Sequence, residues 1–91
     1  MVYVIVELKL ESFDRWKLVF DERSAARKES GSKEARLFRN SDDPNEALIL
    51  FDWDSLENAK DYLESETVRQ TLKNAGATYT FTFLDELEKT F

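Results

Sequence analysis

The sequence predicts an α+β fold ordered β-α-β-β-α-β, and three observations predict it. Four segments are rich in β-branched and aromatic residues, and two others carry apolar residues at spacings of three and four. A few Ser, Asp, Gly and Pro residues punctuate these six elements. No linker, repeat or low-complexity stretch interrupts the 91 residues, so residues 1–91 are expected to form one domain.

VYVIVELK, residues 2–9, reads as the first strand. Ser12 stands where an N-cap belongs, because its hydroxyl can accept from the free amides of a first turn, and Asp14 complements the helix dipole. The helix expected from Phe13 to about Ser30 puts Phe13, Trp16, Phe20, Arg23 and Arg27 on one stripe, and Gly31 is placed as its left-handed cap. EARLFRN and ALILFDW supply the next two strands, joined by the turn SDDPNE. There Pro44 fixes φ and pushes Asp43 into an extended conformation, while Asn45 tolerates left-handed geometry. Asp54 followed by Glu57 resembles a capping box opening a second helix. Its apolar positions Leu56, Ala59 and Leu63 give way after five residues to Val68, Leu72 and Ala75, and Ser65 can start a new helix, so a kink or break is predicted near residues 64–66. Gly76 ends the second piece. In ATYTFTFLDEL, Tyr79, Phe81 and Phe83 alternate with Thr78, Thr80 and Thr82, which is the pattern of a strand.

Two right-handed crossover units of this order interleave into a four-stranded antiparallel sheet with both helices on one face, the ferredoxin-like arrangement. Helices then cover one face only. Yet Ala47, Ile49, Phe51 and Trp53 oppose Leu48 and Leu50, while Val2, Val4, Val6 and Leu8 oppose Tyr3 and Ile5. Central strands apolar on both sides require cover on the second face as well. A second copy packed sheet to sheet supplies it, so a homodimer through the sheet faces is expected.

Composition narrows the partners further. A chain this short is marginal as an isolated monomer, and without cysteine or histidine neither disulfides nor thiolate–imidazole metal sites can help it. The net charge of −6, with no basic cluster, argues against nucleic acid. No apolar run approaches a membrane span, and Glu7 and Lys9 break the pattern of a secretory signal, which makes the cytoplasm the expected location. DDPNE lacks the spacing and glycine of a calcium loop, and no Gly-rich phosphate loop or His-containing triad occurs. Neither a metal nor a cofactor is expected.

FDRWKLVFDE, the run GSKEARLFRNSDDPNEALILFDWDSLENAKDYLES and the later NAG resemble small proteins of the dimeric α+β barrel superfamily, in its antibiotic-biosynthesis-monooxygenase-like and cyclase-like subgroup. The resemblance covers almost the whole chain. It implies a homodimer whose sheets pack into a barrel, with a pocket between sheet and helices in each subunit. Known activities in that group include cofactor-independent oxygenases of aromatic polyketides, haem-degrading enzymes, isomerases and decarboxylases, so the fold alone does not choose among them. Haem-degrading relatives use an axial histidine, which this chain lacks. The resemblance also implies a histidine in the first helix of many cyclase-like relatives at the position of Arg23, where this chain has a guanidinium that cannot act as a base near neutral pH.

The candidate site follows from these readings. Trp16, Phe20, Phe51 and Trp53 either pack as core or wall an aromatic pocket. Arg23, on the same helical face as Trp16 and Phe20, either snorkels to solvent or offers a fork of donors to a carboxylate, enolate or carbonyl oxygen. Asp52, beside a dry face, either pairs with Arg36 or Arg39 or serves as an acid–base group helping Arg23. Arg39 is a cross-strand ion-pair partner or a ligand contact, and Tyr62 reaches the pocket or packs with its hydroxyl outward. Glu7 has no assignable face. Two functions remain open: a cofactor-independent monooxygenase- or cyclase-like enzyme acting on a small hydrophobic or aromatic molecule, and a non-catalytic dimer that binds one or serves as an accessory subunit. An enzyme calls for a pocket of roughly 300 Å³ with a convergent polar group, whereas a structural module fills that space with its own side chains.

Overall fold

The computed structural model describes residues 2–91. Four strands, β1 (Val2–Leu10), β2 (Ser32–Arg39), β3 (Glu46–Trp53) and β4 (Ala77–Asp85), form one antiparallel sheet in the order β2-β3-β1-β4. The two strands that are apolar on both faces, β1 and β3, are therefore its central pair, and they run in unbroken register from Val2 opposite Trp53 to Lys9 opposite Glu46. With helices on one side only, the apolar residues that ALILFDW turns to the other face lie at the middle of that face and still need cover. The edge strand β2 begins two residues earlier than EARLFRN and carries a bulge between Ser32 and Glu34.

The helical layer consists of α1 (Phe13–Glu22), α2 (Ser24–Ser30), α3 (Leu56–Leu63) and α4 (Glu66–Asn74). Several ends obey the local rules. The Ser12 hydroxyl accepts from the Arg15 amide, and the Ser65 hydroxyl accepts from the Val68 amide while donating to the Tyr62 carbonyl. The predicted break at residues 64–66 is thus a new helix start in which the cap is satisfied locally. Gly31 closes α2 at φ 117°, a left-handed conformation that favours glycine, and a Cβ there would push aside the Asp54 carboxylate.

Three expectations are corrected. The helix from Phe13 to Ser30 is two helices, broken at Arg23, and no Gly or Pro breaks it. Instead the Phe20 carbonyl accepts from the Arg23 amide at 3.3 Å and from Arg27 Nη1 at 2.7 Å, so a side chain enters the hydrogen-bond ladder and bends it. The N-cap of α3 is Ser55, whose hydroxyl accepts from the Asn58 amide, while Asp54 accepts from the Asn58 side chain. Asn45 does not adopt left-handed geometry; among the described residues only Gly31 and Gly76 have positive φ. The turn is tightened by side chains, with Asn40 Oδ1 accepting from the Asp42 amide and Asp43 Oδ1 from that of Asn45.

All four helices lie on one side of the sheet. There Val4, Val6, Leu8, Ile49, Phe51 and Trp53 join Trp16, Ala59 and Leu63 in the core. The opposite face presents Tyr3, Ile5, Leu48 and Leu50 half-buried and Phe38 and Leu84 exposed, framed by Glu34, Arg36, Asp52 and Glu7. No helix among the described residues is long and apolar enough to cross a membrane.

Candidate functional site

A cleft opens between the helix face of the sheet and the helices. Its floor is Val6, Leu8, Ile49, Phe51 and Phe81, whose placement follows from strand alternation. Its walls come from one helical stripe, Trp16, Phe20, Arg23 and Arg27, and from Tyr62, Leu63, Val68 and Leu72 on the other helical pair. The free volume is about 60 Å³, enough for about two waters at roughly 30 Å³ each. The subunit's own side chains fill most of the space between helices and sheet.

Aromatic contacts order the wall. Trp16, 1% exposed, stacks on Phe20 with centroids 5.1 Å apart and meets Phe13 at 5.8 Å. Arg27 is the one charged side chain among the described residues that is buried in the core. Its guanidinium lies 3.9 Å from the Phe20 centroid and donates to the Phe20 carbonyl, one of the carbonyls left at the carboxyl end of α1. Burial pushes the Arg27 pKa down and the neighbouring Arg23 adds to this, against the opposing pull of Tyr62 and Asp21. Asp21 is itself held by Lys17 at 2.7 Å.

Arg23 sits at the α1–α2 break, half-buried, with its guanidinium 5.8 Å from the Tyr62 centroid. Its Nε is out of solvent and has no hydrogen-bond partner. Among the described residues neither Arg23 nor Arg27 forms an ion pair. The cleft therefore holds two guanidiniums and no carboxylate.

The structure brings Trp16, Phe20, Arg23, Phe51 and Tyr62 together and separates the other expected site residues from them. Asp52 is on the far side of the sheet from Arg23 within the subunit, because alternation sends it opposite Phe51 and Trp53. Its Oδ1 is buried without a partner, near Tyr3, whose pKa is raised by Glu86 foremost, then by burial, Asp52 and Glu34. Trp53 is fully buried but stands behind the cleft, packed on Phe51 and Tyr62, with its indole N–H donating to the Ser30 carbonyl at 3.1 Å. Arg39 shares the helix face, since it pairs with Ala47, but lies at its far end over the Phe13 ring at 4.8 Å, and it forms no ion pair. Glu7 falls on the open face opposite Leu48. Arg27 is the wall residue that site reasoning from sequence passed over; its spacing of four from Arg23 on the aromatic stripe was the available signal.

A concavity of about 590 Å³ lies at the end of the sheet near the β2–β3 turn, bordered by Glu7, Lys9, Phe38, Asn40, Leu48 and Thr80. No group of three or more acidic side chains among the described residues is arranged to hold a metal ion.

The family model described as antibiotic biosynthesis monooxygenase matches residues 1–74. Among solved structures, the cofactor-independent oxygenase SnoaB of Streptomyces nogalater is similar at a TM-score of 0.80 and 14% identity, over 97% of this chain and 94% of that one. A protein assigned as an antibiotic biosynthesis monooxygenase from Deinococcus radiodurans is similar at 0.73 and 23% identity, over 100% and 97% of the two chains. Rv0793 of Mycobacterium tuberculosis is similar at 0.70 and 12% identity over the full length of both. At these identities the likeness concerns the fold. No curated protein matches the chain in sequence.

Proposed function

The chain belongs to the antibiotic biosynthesis monooxygenase family, and from that premise we propose that it is a cofactor-independent oxygenase of a small, flat, hydrophobic substrate, working as a homodimer. The observation that carries this reading is the Arg23 Nε–H, out of solvent and without a partner in the wall of an aromatic cleft. A donor buried in that state loses hydrogen-bond energy until something accepts from it, and an enolate or carbonyl oxygen of a bound ring is the acceptor such a cleft favours. Trp16, Phe20 and Phe51 sandwich the ring; Arg23 holds the oxygen on which negative charge collects; Tyr62 contributes a second donor.

The reaction that fits is oxidation of a ring methylene conjugated across the ring with a carbonyl. The substrate binds as the enolate already ionised in solution, and this enolate supplies electrons to dioxygen directly. One oxygen atom becomes the new carbonyl, and the other leaves as water, made with the one hydrogen remaining on that carbon and a proton from solvent. An apolar, water-poor cleft favours this by strengthening the Arg23–oxyanion attraction.

Residues 1–91 constitute one domain in this proposal, located in the cytoplasm, and the second copy covers Tyr3, Ile5, Phe38, Leu48, Leu50 and Leu84. Packing sheet on sheet removes that apolar patch from water and brings a second surface over Asp52 Oδ1, which has no partner within its own subunit. The test is oxygen uptake with an anthrone-type substrate in the presence of a chelator: one dioxygen consumed per quinone formed, lost in Arg23→Gln, supports the proposal. Unchanged turnover in that variant refutes it.

The 60 Å³ volume is well below the roughly 300 Å³ an enzyme pocket calls for and favours a second reading, a non-catalytic dimer whose own side chains fill the space. Absence of both oxygen uptake and any ligand entering the cleft would select that alternative.

A further inference from the structure

The cleft carries two positive charges and nothing in its lining to balance them. Arg27 is partly compensated, because it lies against the carboxyl end of α1 and donates to the Phe20 carbonyl. Arg23 has no such compensation: its Nε is buried and unpartnered, and Asp21, the acidic residue acting on Arg27, is engaged by Lys17. Asp52 is on the wrong side of the sheet. A buried N–H donor of a guanidinium, set beside a second guanidinium, is met best by a negatively charged acceptor, so the missing component of this cleft is an anion.

The same lining lacks anything to create that charge in place. It contains no carboxylate, the chain has no histidine, and two guanidiniums hold their protons near neutral pH. The Thr71 hydroxyl is already donating to the Thr67 carbonyl, and the Tyr62 phenol is a donor. We infer that the cleft selects its ligand as a preformed aromatic oxyanion, a carboxylate or an acidic phenol or enol already ionised in solution, and that Arg23, backed by Arg27, reads the charge. This rests on the reading of the cleft as a small-molecule site, and adds that the pocket captures an anion and does not generate one.

Geometry supports the division of labour. Arg27 is fixed by stacking at 3.9 Å and by its 2.7 Å hydrogen bond, so it sets a constant positive field. Arg23 is half-exposed at a helix break, where its stem can swing outward to admit a ring larger than the free 60 Å³ and then close over the oxyanion.

The test uses the intact protein and matched pairs of equal shape: benzoate against benzamide, and 4-nitrophenolate, above its own pKa, against 4-nitroanisole. Binding is followed by nitrogen-resolved NMR of the arginine Nε–H groups and the Trp16 indole. The expected result is that each anion binds at least about tenfold more tightly than its neutral partner, with the Arg23 Nε–H shifting most, and that Arg23→Gln brings the ratio close to one. The first pair reports a carboxylate ligand and the second a phenolate or enolate ligand. Equal binding within both pairs, or a ratio unchanged in Arg23→Gln, overturns the inference while leaving the small-molecule site standing. If no member of either pair perturbs the cleft, both the site and the inference fall.

Discussion

On the helix side of the sheet, Val4, Val6, Phe51 and Trp53 are closed over by four helices; one residue away along the same strands, Ile5, Leu48, Leu50 and Asp52 point the other way and stay half-exposed. The same two strands thus build two surfaces with different needs. The helix side is finished by the chain itself, down to a hydrogen bond for the Trp53 indole, and the polar atom left over there is the Arg23 Nε. The open side has an apolar centre and a carboxylate oxygen without a donor. A positive surplus inside a closed cleft points to a small anion. An apolar centre on a broad open sheet points to a second protein surface. The contrast separates ligand from partner, and variants on the two sides should fail in different ways.

The largest effect is expected on the helix side. Trp53→Ala removes a ring packed on Phe51 and Tyr62 together with its hydrogen bond to Ser30, and should cost about 3–5 kcal/mol in urea unfolding. That is a large share of the stability of a domain this size. A loss below about 1 kcal/mol would mean that this side is not the closed core described.

Leu50→Arg, on the open side between Arg36 and Ile5, should act on assembly and spare the fold. Light scattering should show the mass of one subunit where the unmodified protein shows two, with the far-ultraviolet circular dichroism retained. An unchanged mass would show that the open face is not the dimer surface.

Arg27 sharpens the comparison within the helix side. Its stem and stacked guanidinium contribute packing as well as charge, so Arg27→Ala should destabilise by about 2–3 kcal/mol. Arg27→Met keeps the stem and sheds the buried charge, and should stay within about 1 kcal/mol of the parent. Equal losses in the two variants would show that the charge, and not the packing, is what the fold uses.

How much of this could be seen in the sequence depends on the range of the physics involved. Ser12, Ser65 and Gly31 act within a turn of themselves, and each does what its residue type predicts. The double-sided apolarity of ALILFDW is equally local and placed β3 at the centre of the sheet. The break at Arg23 was hidden because it depends on Arg27 reaching back seven residues to a carbonyl, with no breaker residue to announce it. Alternation already set Asp52 against Trp53, but only the helix packing tells which of those two faces holds the cleft. Trp53 shares the cleft's face yet stands behind it, a distinction of depth that periodicity does not carry.

The smallest effect is a titration, and it asks whether the open side is covered. Tyr3 lies on that side, and its pKa is already raised above 10.0 by Glu86 first, then by burial, Asp52 and Glu34. Raising a phenol's pKa means the folded state holds its proton more tightly than the unfolded chain does. The associated stability is present below the unfolded value and is lost as pH climbs through the folded one. A second sheet laid over Tyr3 adds desolvation and should push its ionisation higher still. Ultraviolet titration should therefore find Tyr3 ionising later in the parent protein than in the Leu50→Arg subunit, with Glu86→Gln lowering the value in both. If parent and Leu50→Arg titrate alike, Tyr3 is equally wet in each, and the open face has no partner over it.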